Sequence, residues 1–317
     1  MIPYSVARIW NHVSSCSDVN INERNIGIDG YNIPLIKEEK MKTKQIAGMN
    51  QNYRQYTYDY FLESMKIAGY ESVELWLGAP HIWVDSQDYH HAKEILNRTN
   101  RAGLEIVSVT TPSGGAFQYQ YGAQESLHMK KSIAYFKNGV RMTAELNAPI
   151  MTVNSGWGYW NENPMQSMQR TIEILGNVCK EAEKRGIMIA LESLTKDESL
   201  NGYTINQVDQ IVKEVGSKNL KVMIDLDAIR FARETATQWF ERFGKEIIHY
   251  HFQDGDYTVP SAGHYVWGDG EFCLEEELEV IKKYHFEGFL TQEICGSMDP
   301  RLDDIRNMRI LQKMVDE

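Results

Sequence analysis

The stretch "EIIHYHFQDGD", Glu246–Asp256, is an apolar run that carries two histidines one residue apart and then yields to acids and glycine. Side chains at i and i+2 of a strand share a face, so a strand here turns His249 and His251 the same way. Runs of similar length and texture recur along the chain. "KQIAGM", "SVELW", "LEIVSVT", "PIMTVN", "IMIALE", "LKVMID" and "GFLTQE" begin near Lys44, Ser72, Leu104, Pro149, Ile187, Leu220 and Gly288, and with "IIHYHF" at Ile247 they make eight. Between them lie "YTYDYFLESMKIAG", "AKEILNRTNRAG", "MKKSIAYFKNGVRMTAELN" and "MQSMQRTIEILGNVCKEAEKRG", with apolar residues three and four apart and, in several, a closing glycine. That spacing predicts helices. Strands that alternate with helices pair in parallel through right-handed crossovers, and eight such repeats close a (β/α)8 barrel. The expected fold is therefore α/β, a single (β/α)8 TIM barrel over 42–317, with an open doubly wound sheet as the alternative.

Two pieces stand outside the repeat. Residues 1–41 have weak periodicity and a turn-rich "NINERNIGIDGYNIP", which predicts an irregular extension lying on the barrel or against a partner subunit of a homo-oligomer. The tail "DPRLDDIRNMRILQKMVDE" predicts a helix that closes the barrel after its eighth strand. No linker or second domain is visible.

With 44 acidic and 33 basic residues the 317-residue chain has a formal charge of -11, which argues against nucleic acid or an anionic membrane as partner. A small neutral or cationic molecule suits it better. Cys16, Cys179, Cys273 and Cys295 form no CxxC pair, so neither a disulfide framework nor a thiolate zinc site is suggested, and a reducing cytoplasm is the expected compartment. The start "MIPYSVARIW" lacks the basic and apolar regions of a signal peptide, and no run approaches the roughly 18 apolar residues of a membrane span.

In barrels of this type the chemistry gathers at the carboxyl ends of the strands. The fifth run ends in Glu192, the sixth in Asp225, the seventh in His251 and the eighth in Glu293. Each alone reads most simply as a hydrogen-bonded strand-end residue. Together, three carboxylates pointed into one mouth repel one another unless a cation or protons compensate. One imidazole with three carboxylates suits a divalent ion of hard to borderline character such as Mn2+, Mg2+ or Co2+ better than a thiolate-rich zinc site would, with Zn2+ as a further alternative. His249, one layer lower, reads as support or packing. Glu74 and Trp76 end the second run and His81 and Trp83 follow it, so Glu74, Trp76 and His81 are candidate substrate contacts, the tryptophan either stacking on a bound ligand or capping the barrel. "NSGWGYW", 154–160, lacks GxGxxG, and no nicotinamide site is expected. The adjacent His90 and His91 read as lying near the start of a solvated helix.

The motifs "LESLTKDES", "VMIDLD", "HYHFQDGD", "GHYVWGDGEF" and "EGFLTQEI" resemble those of the xylose-isomerase-like sugar isomerases and epimerases, nearest the ketose 3-epimerases of fructoselysine (psicoselysine) type. "GYESVELWLGAPHIW" and "TPSGGAFQYQYGAQESLHMKKS" extend the likeness over roughly residues 43–315. The resemblance implies Glu192, Asp225, His251 and Glu293 as metal ligands and Glu192 and Glu293 as the two catalytic groups. It also implies sugar contacts at Glu198 and His264. It implies a divalent-metal-dependent epimerase or isomerase of a ketose or ketosamine, which removes and returns a proton beside the carbonyl through an enediolate. The chain departs from many ketose 3-epimerases at Ala228, where they carry histidine, and at Tyr257, where they carry arginine; Trp267 replaces a loop proline. Alternatives on the same fold are a sugar or inosose dehydratase, an aldose-ketose isomerase and, more distantly, an endonuclease IV-like phosphodiesterase. A catalytically inactive sugar-binding barrel is the alternative of another class.

Overall fold

The computed structural model describes residues 43–114, 117–257 and 264–316, so the extension expected over 1–41 lies outside the described residues. The strands are β1 (Ile46–Met49), β2 (Ser72–Trp76), β3 (Trp83–Val84), β4 (Tyr89–His90), β5 (Glu105–Thr110), β6 (Ile150–Asn154), β7 (Met188–Glu192), β8 (Leu220–Asp225), β9 (Ile247–His251) and β10 (Phe289–Gln292). Every run picked out by its apolar texture contains one of the eight long strands. They close into a barrel in the order β1-β10-β9-β8-β7-β6-β5-β2, every pair parallel. β1, β2 and β6 are buried at every position, which is why such runs read as continuous apolar stretches rather than alternating ones.

The helices are α1 (Tyr58–Ala68), α2 (Ala92–Arg101), α3 (Ser126–Glu145), α4 (Pro164–Glu183), α5 (Ile205–Val215), α6 (Leu226–Phe231), α7 (Ala236–Phe243), α8 (Leu274–Lys283) and α9 (Pro300–Asp316), the last being the closing helix. Their ends are written in the sequence. The Thr57 and Thr204 hydroxyls cap α1 and α5, Asn163 and Pro164 start α4, and Gly69 at φ 94° ends α1 in the left-handed conformation. α9 returns to the beginning of the barrel: Tyr53 donates to Asp304 Oδ2 at 2.5 Å, and Tyr70 to Oδ1 at 3.5 Å.

Most of the apolar core fills the space between strands and helices, from Val73 and Ile106 to Trp239 and Leu311. A smaller cluster of Ile150, Ala190 and Met223 shares the strand faces of the site residues and floors the barrel beneath them. His90 and His91 lie at the entry to α2, as expected, with His91 its N-cap, but His90 also belongs to an antiparallel pair β3–β4, opposite Trp83, that the sequence did not signal. The reason is Asp85, whose Oδ1 accepts from Gln87 and Asp88 N–H at 2.6 and 2.9 Å and closes a tight turn. Among the described residues no helix is long and apolar enough to cross a membrane.

Candidate active site and metal centre

Glu192, Asp225 and His251 are the last residues of β7, β8 and β9, and Glu293 follows the last residue of β10. The parallel register sets Asp225 opposite His251 and His251 opposite Thr291, so the four side chains leave the barrel at nearly one level. One donor atom from each lies within 4.8 Å of the others. His251 Nδ1 is 2.7 Å from Glu192 Oε1, 2.9 Å from Glu293 Oε2 and 3.8 Å from Asp225 Oδ2. Yet that buried nitrogen makes no hydrogen bond.

The electrostatics follow from that crowding. Burial pushes the Glu192 carboxyl up to about 8 against the pull of His251, with Glu293 and Asp225 adding to the rise. Burial likewise raises Asp225. At Glu293 burial is outweighed by His251 and His264, which hold the carboxyl low. The His251 imidazole, which burial alone would depress, is held well above its usual range by Glu293, Glu192 and Glu74. A site built this way calls for positive charge. Three carboxylates and a buried ring nitrogen without a hydrogen bond form a donor set that fits a divalent cation of the Mn2+, Mg2+ or Co2+ kind.

Beneath the quartet, Glu74 is wholly buried. Its Oε2 lies 2.6 Å from His249 Nε2 and its Oε1 3.4 Å from His251 Nε2, and Oε1 also accepts from the hydroxyls of Thr110 and, at 3.2 Å, Thr152. Burial would raise this carboxyl, but the two imidazoles pull it well below the ordinary range. Thr291 Oγ1 approaches His249 Nε2 to 3.1 Å.

Around the mouth the other sequence candidates fall as follows. Glu198, in the loop after β7, accepts from Thr195 N–H and Oγ1 at 3.1 and 2.9 Å. His264 Nδ1 donates to the Glu293 carbonyl at 3.0 Å, bringing its ring beside the quartet. The Trp76 backbone is clasped by the Asn50 amide, at 2.7 and 3.1 Å, and its largely buried ring meets Phe117 edge-on with Arg54 over its face. His81 has both ring nitrogens engaged, with the Tyr56 carbonyl at 2.8 Å and Asn50 Nδ2 at 3.1 Å, so it ties the first loop to the second.

Three residues escaped the sequence reading. Gln253 Nε2 donates to Asp225 Oδ2 at 2.9 Å; its place two residues after His251, on the same face, was the available signal. Asp254 accepts backbone N–H groups of Gly255, Gly268, Gly270 and Phe272 at 2.8 to 2.9 Å and so gathers the "WGDGEF" loop against the end of β9. Asp227 is buried with neither oxygen hydrogen-bonded, and burial with the nearby Asp225 pushes its carboxyl up to about 7. Of the family departures, Ala228 donates its N–H to Asp225 Oδ1 at 2.7 Å, Tyr257 is exposed with its ring against Phe272, and Trp267 packs on Phe252 in the core.

A closed parallel barrel with a carboxylate–imidazole quartet at its carboxyl mouth defines a (β/α)8 protein with a candidate metal site. Residues 62–314 match the model of the xylose isomerase-like TIM barrel family, and the chain belongs to that family. It is 27% identical over 236 residues to fructoselysine 3-epimerase of Shigella flexneri, covering 74% of this chain and 84% of that one. Among solved structures, 3-keto-D-glucoside 4-epimerase from E. coli superposes with a TM-score of 0.72 at 14% identity, over 86% of this chain and 100% of the other. D-psicose 3-epimerase from Clostridium cellulolyticum H10, with D-tagatose, gives 0.65 at 17%, over 86% and 94%. These relatives are named epimerases, of the isomerase class, and the reading of this chain as an isomerase agrees with them.

Proposed function

We propose that the protein is a divalent-metal-dependent epimerase of a ketose or ketosamine, inverting the carbon beside the ketone. The observation that carries this reading is the convergence of Glu192, Asp225, His251 and Glu293 within 4.8 Å around a buried nitrogen without a hydrogen bond. The same four residues would hold the cation, with Mn2+ favoured. When bound, the ion supplies Lewis-acid polarisation of the ketone and neutralises the carboxylates. Glu293 removes the proton from one epimer, and the electron pair of the broken C–H bond is taken up by the ketone oxygen. Glu192 delivers a proton to the opposite face as the carbonyl re-forms, and the carbon is inverted; for the other epimer the two roles exchange. Each turnover leaves Glu293 protonated and Glu192 ionised, so a proton returns between them or through solvent before the next. Glu198 and His264 line the mouth and meet the sugar hydroxyls.

The test is a panel of ketoses and fructosamines incubated with the Mn2+-loaded protein in deuterated water. Solvent deuterium entering the carbon beside the ketone together with inversion is the expected result. Loss of water from the sugar would make it a dehydratase, and the absence of exchange across the panel would overturn the proposal.

A further inference from the structure

The sequence placed Glu74 among the substrate contacts, but its carboxylate lies wholly below the mouth, between His249 and His251. We infer that Glu74 is a positioning residue: it holds the His251 ring hydrogen on Nε2 and thereby leaves the Nδ1 lone pair to face Glu192, Asp225 and Glu293. This rests on the metal-centre reading above.

The chemistry is one of supply and demand for hydrogens. An ionised carboxylate only accepts, so a ring nitrogen directed at it carries the proton. Both imidazoles present Nε2 to Glu74, at 2.6 Å for His249 and 3.4 Å for His251. Where a cation takes the place of the proton that the surrounding carboxylates otherwise favour on the ring, the imidazole is neutral, and a hydrogen kept on Nε2 leaves the other nitrogen as the lone-pair atom. For His251 that atom is Nδ1, the one 2.7 and 2.9 Å from Glu192 and Glu293 and without a hydrogen bond. The reverse arrangement would put the hydrogen where a cation belongs. Thr110 and Thr152 supply the further donors that hold the Glu74 carboxylate in place, and the Thr291 hydroxyl reaches the same His249 nitrogen that faces Glu74. A carboxamide at position 74 has one acceptor and one donor end, and cannot accept from both imidazoles on separate oxygens.

The experiment titrates metal-free protein with Mn2+ by calorimetry, in the native sequence and in Glu74→Gln, Glu74→Asp, Tyr58→Phe and Asp225→Ala. Glu74→Gln should weaken Mn2+ binding about 10- to 100-fold, as expected for loss of the hydrogen-bond partner of a metal-bound histidine, while still reaching one equivalent. Tyr58→Phe removes a buried hydroxyl contact with Thr99, between α1 and α2 outside the four candidate ligands, and should lower Tm without moving the affinity, showing that lost stability alone does not weaken the site. If Glu74→Gln does not fold, Glu74→Asp keeps the charge while drawing the carboxylate back, and should weaken binding in the same direction. Nitrogen-15 NMR of the histidines in the Zn2+-loaded protein should place the His251 hydrogen on Nε2 in the native sequence.

Native affinity in a folded Glu74 variant, or the hydrogen on Nδ1, would overturn the proposal. So would two equivalents bound in the native protein and one in Glu74→Gln, which would make Glu74 a ligand. Native affinity in Asp225→Ala would instead sink the metal-centre reading itself, so the two failures are separable.

Discussion

At the scale of single residues, Glu192 and Glu293 both approach His251 yet sit in opposite electrostatic states, one carboxyl pushed up and the other held low. Glu293→Gln keeps the size and an oxygen donor but cannot accept a proton. Turnover should fall by ~10²-fold or more, with metal binding less affected, as steady-state rates and metal analysis would show. Glu192→Gln should still exchange the substrate proton with solvent from the epimer that Glu293 attacks, while net inversion stops. Full inversion in either variant would dismiss the two-group assignment. Asp225→Ala and His251→Ala each remove one of four donors and should strip the ion; a full equivalent retained in both would require another account of the quartet. The four strand-end residues could be found in the sequence because each closes an apolar run. The burial of Glu74 could not, because the same strand end is compatible with a side chain turned up to the substrate or down between two histidines.

At the scale of elements, the loop after β9 is organised by one carboxylate. A Cβ added at Gly270 would lie 2.4 Å from the Gly255 carbonyl and 2.5 Å from Asp254 Oδ1, so Gly270→Ala should destabilise by about 1–3 kcal/mol and displace the loop that carries His264. Denaturant unfolding measures the first, and a change in KM with little change in kcat would report the second. Helix α9 gives a pH signature. Burial pushes the Asp304 carboxyl up to about 7 from its ordinary 3.8, so the folded protein binds this proton more tightly than the unfolded chain. The stabilisation is complete below about pH 4 and is lost as pH rises through 7. Relative to the native protein, Asp304→Asn should therefore gain stability steadily between those limits, by a few kcal/mol in all, with Tyr53 still having an oxygen to donate to. Parallel stability curves would refute the assignment. The eight long strands were legible because parallel strands buried on both faces leave unbroken apolar runs. The small β3–β4 pair was not, since two-residue strands have no period to read, and α6 and α7 fell within segments too short for the three-four spacing to stand out.

At the scale of the whole molecule, the proposed ligand set, drawn from four consecutive barrel strands, would link metal binding to global stability. An ion at 100 times its dissociation constant should add about 2.7 kcal/mol, so chelation with EDTA should lower Tm and Mn2+ restore it. An unchanged Tm in the presence of a bound equivalent would mean that the ion binds the unfolded chain as well. The strand order carries a further consequence. Barrel closure joins β1 to β10, at opposite ends of the described chain, and Glu293 lies just past that last strand. On the ribosome, synthesis runs from the amino end, so Glu192, Asp225 and His251 emerge before the segment that completes their circle. A nascent chain stalled before residue 293 has three of the four candidate donors and an unsealed sheet, so on the proposed metal-centre reading full loading would wait until the last βα unit has left the exit tunnel.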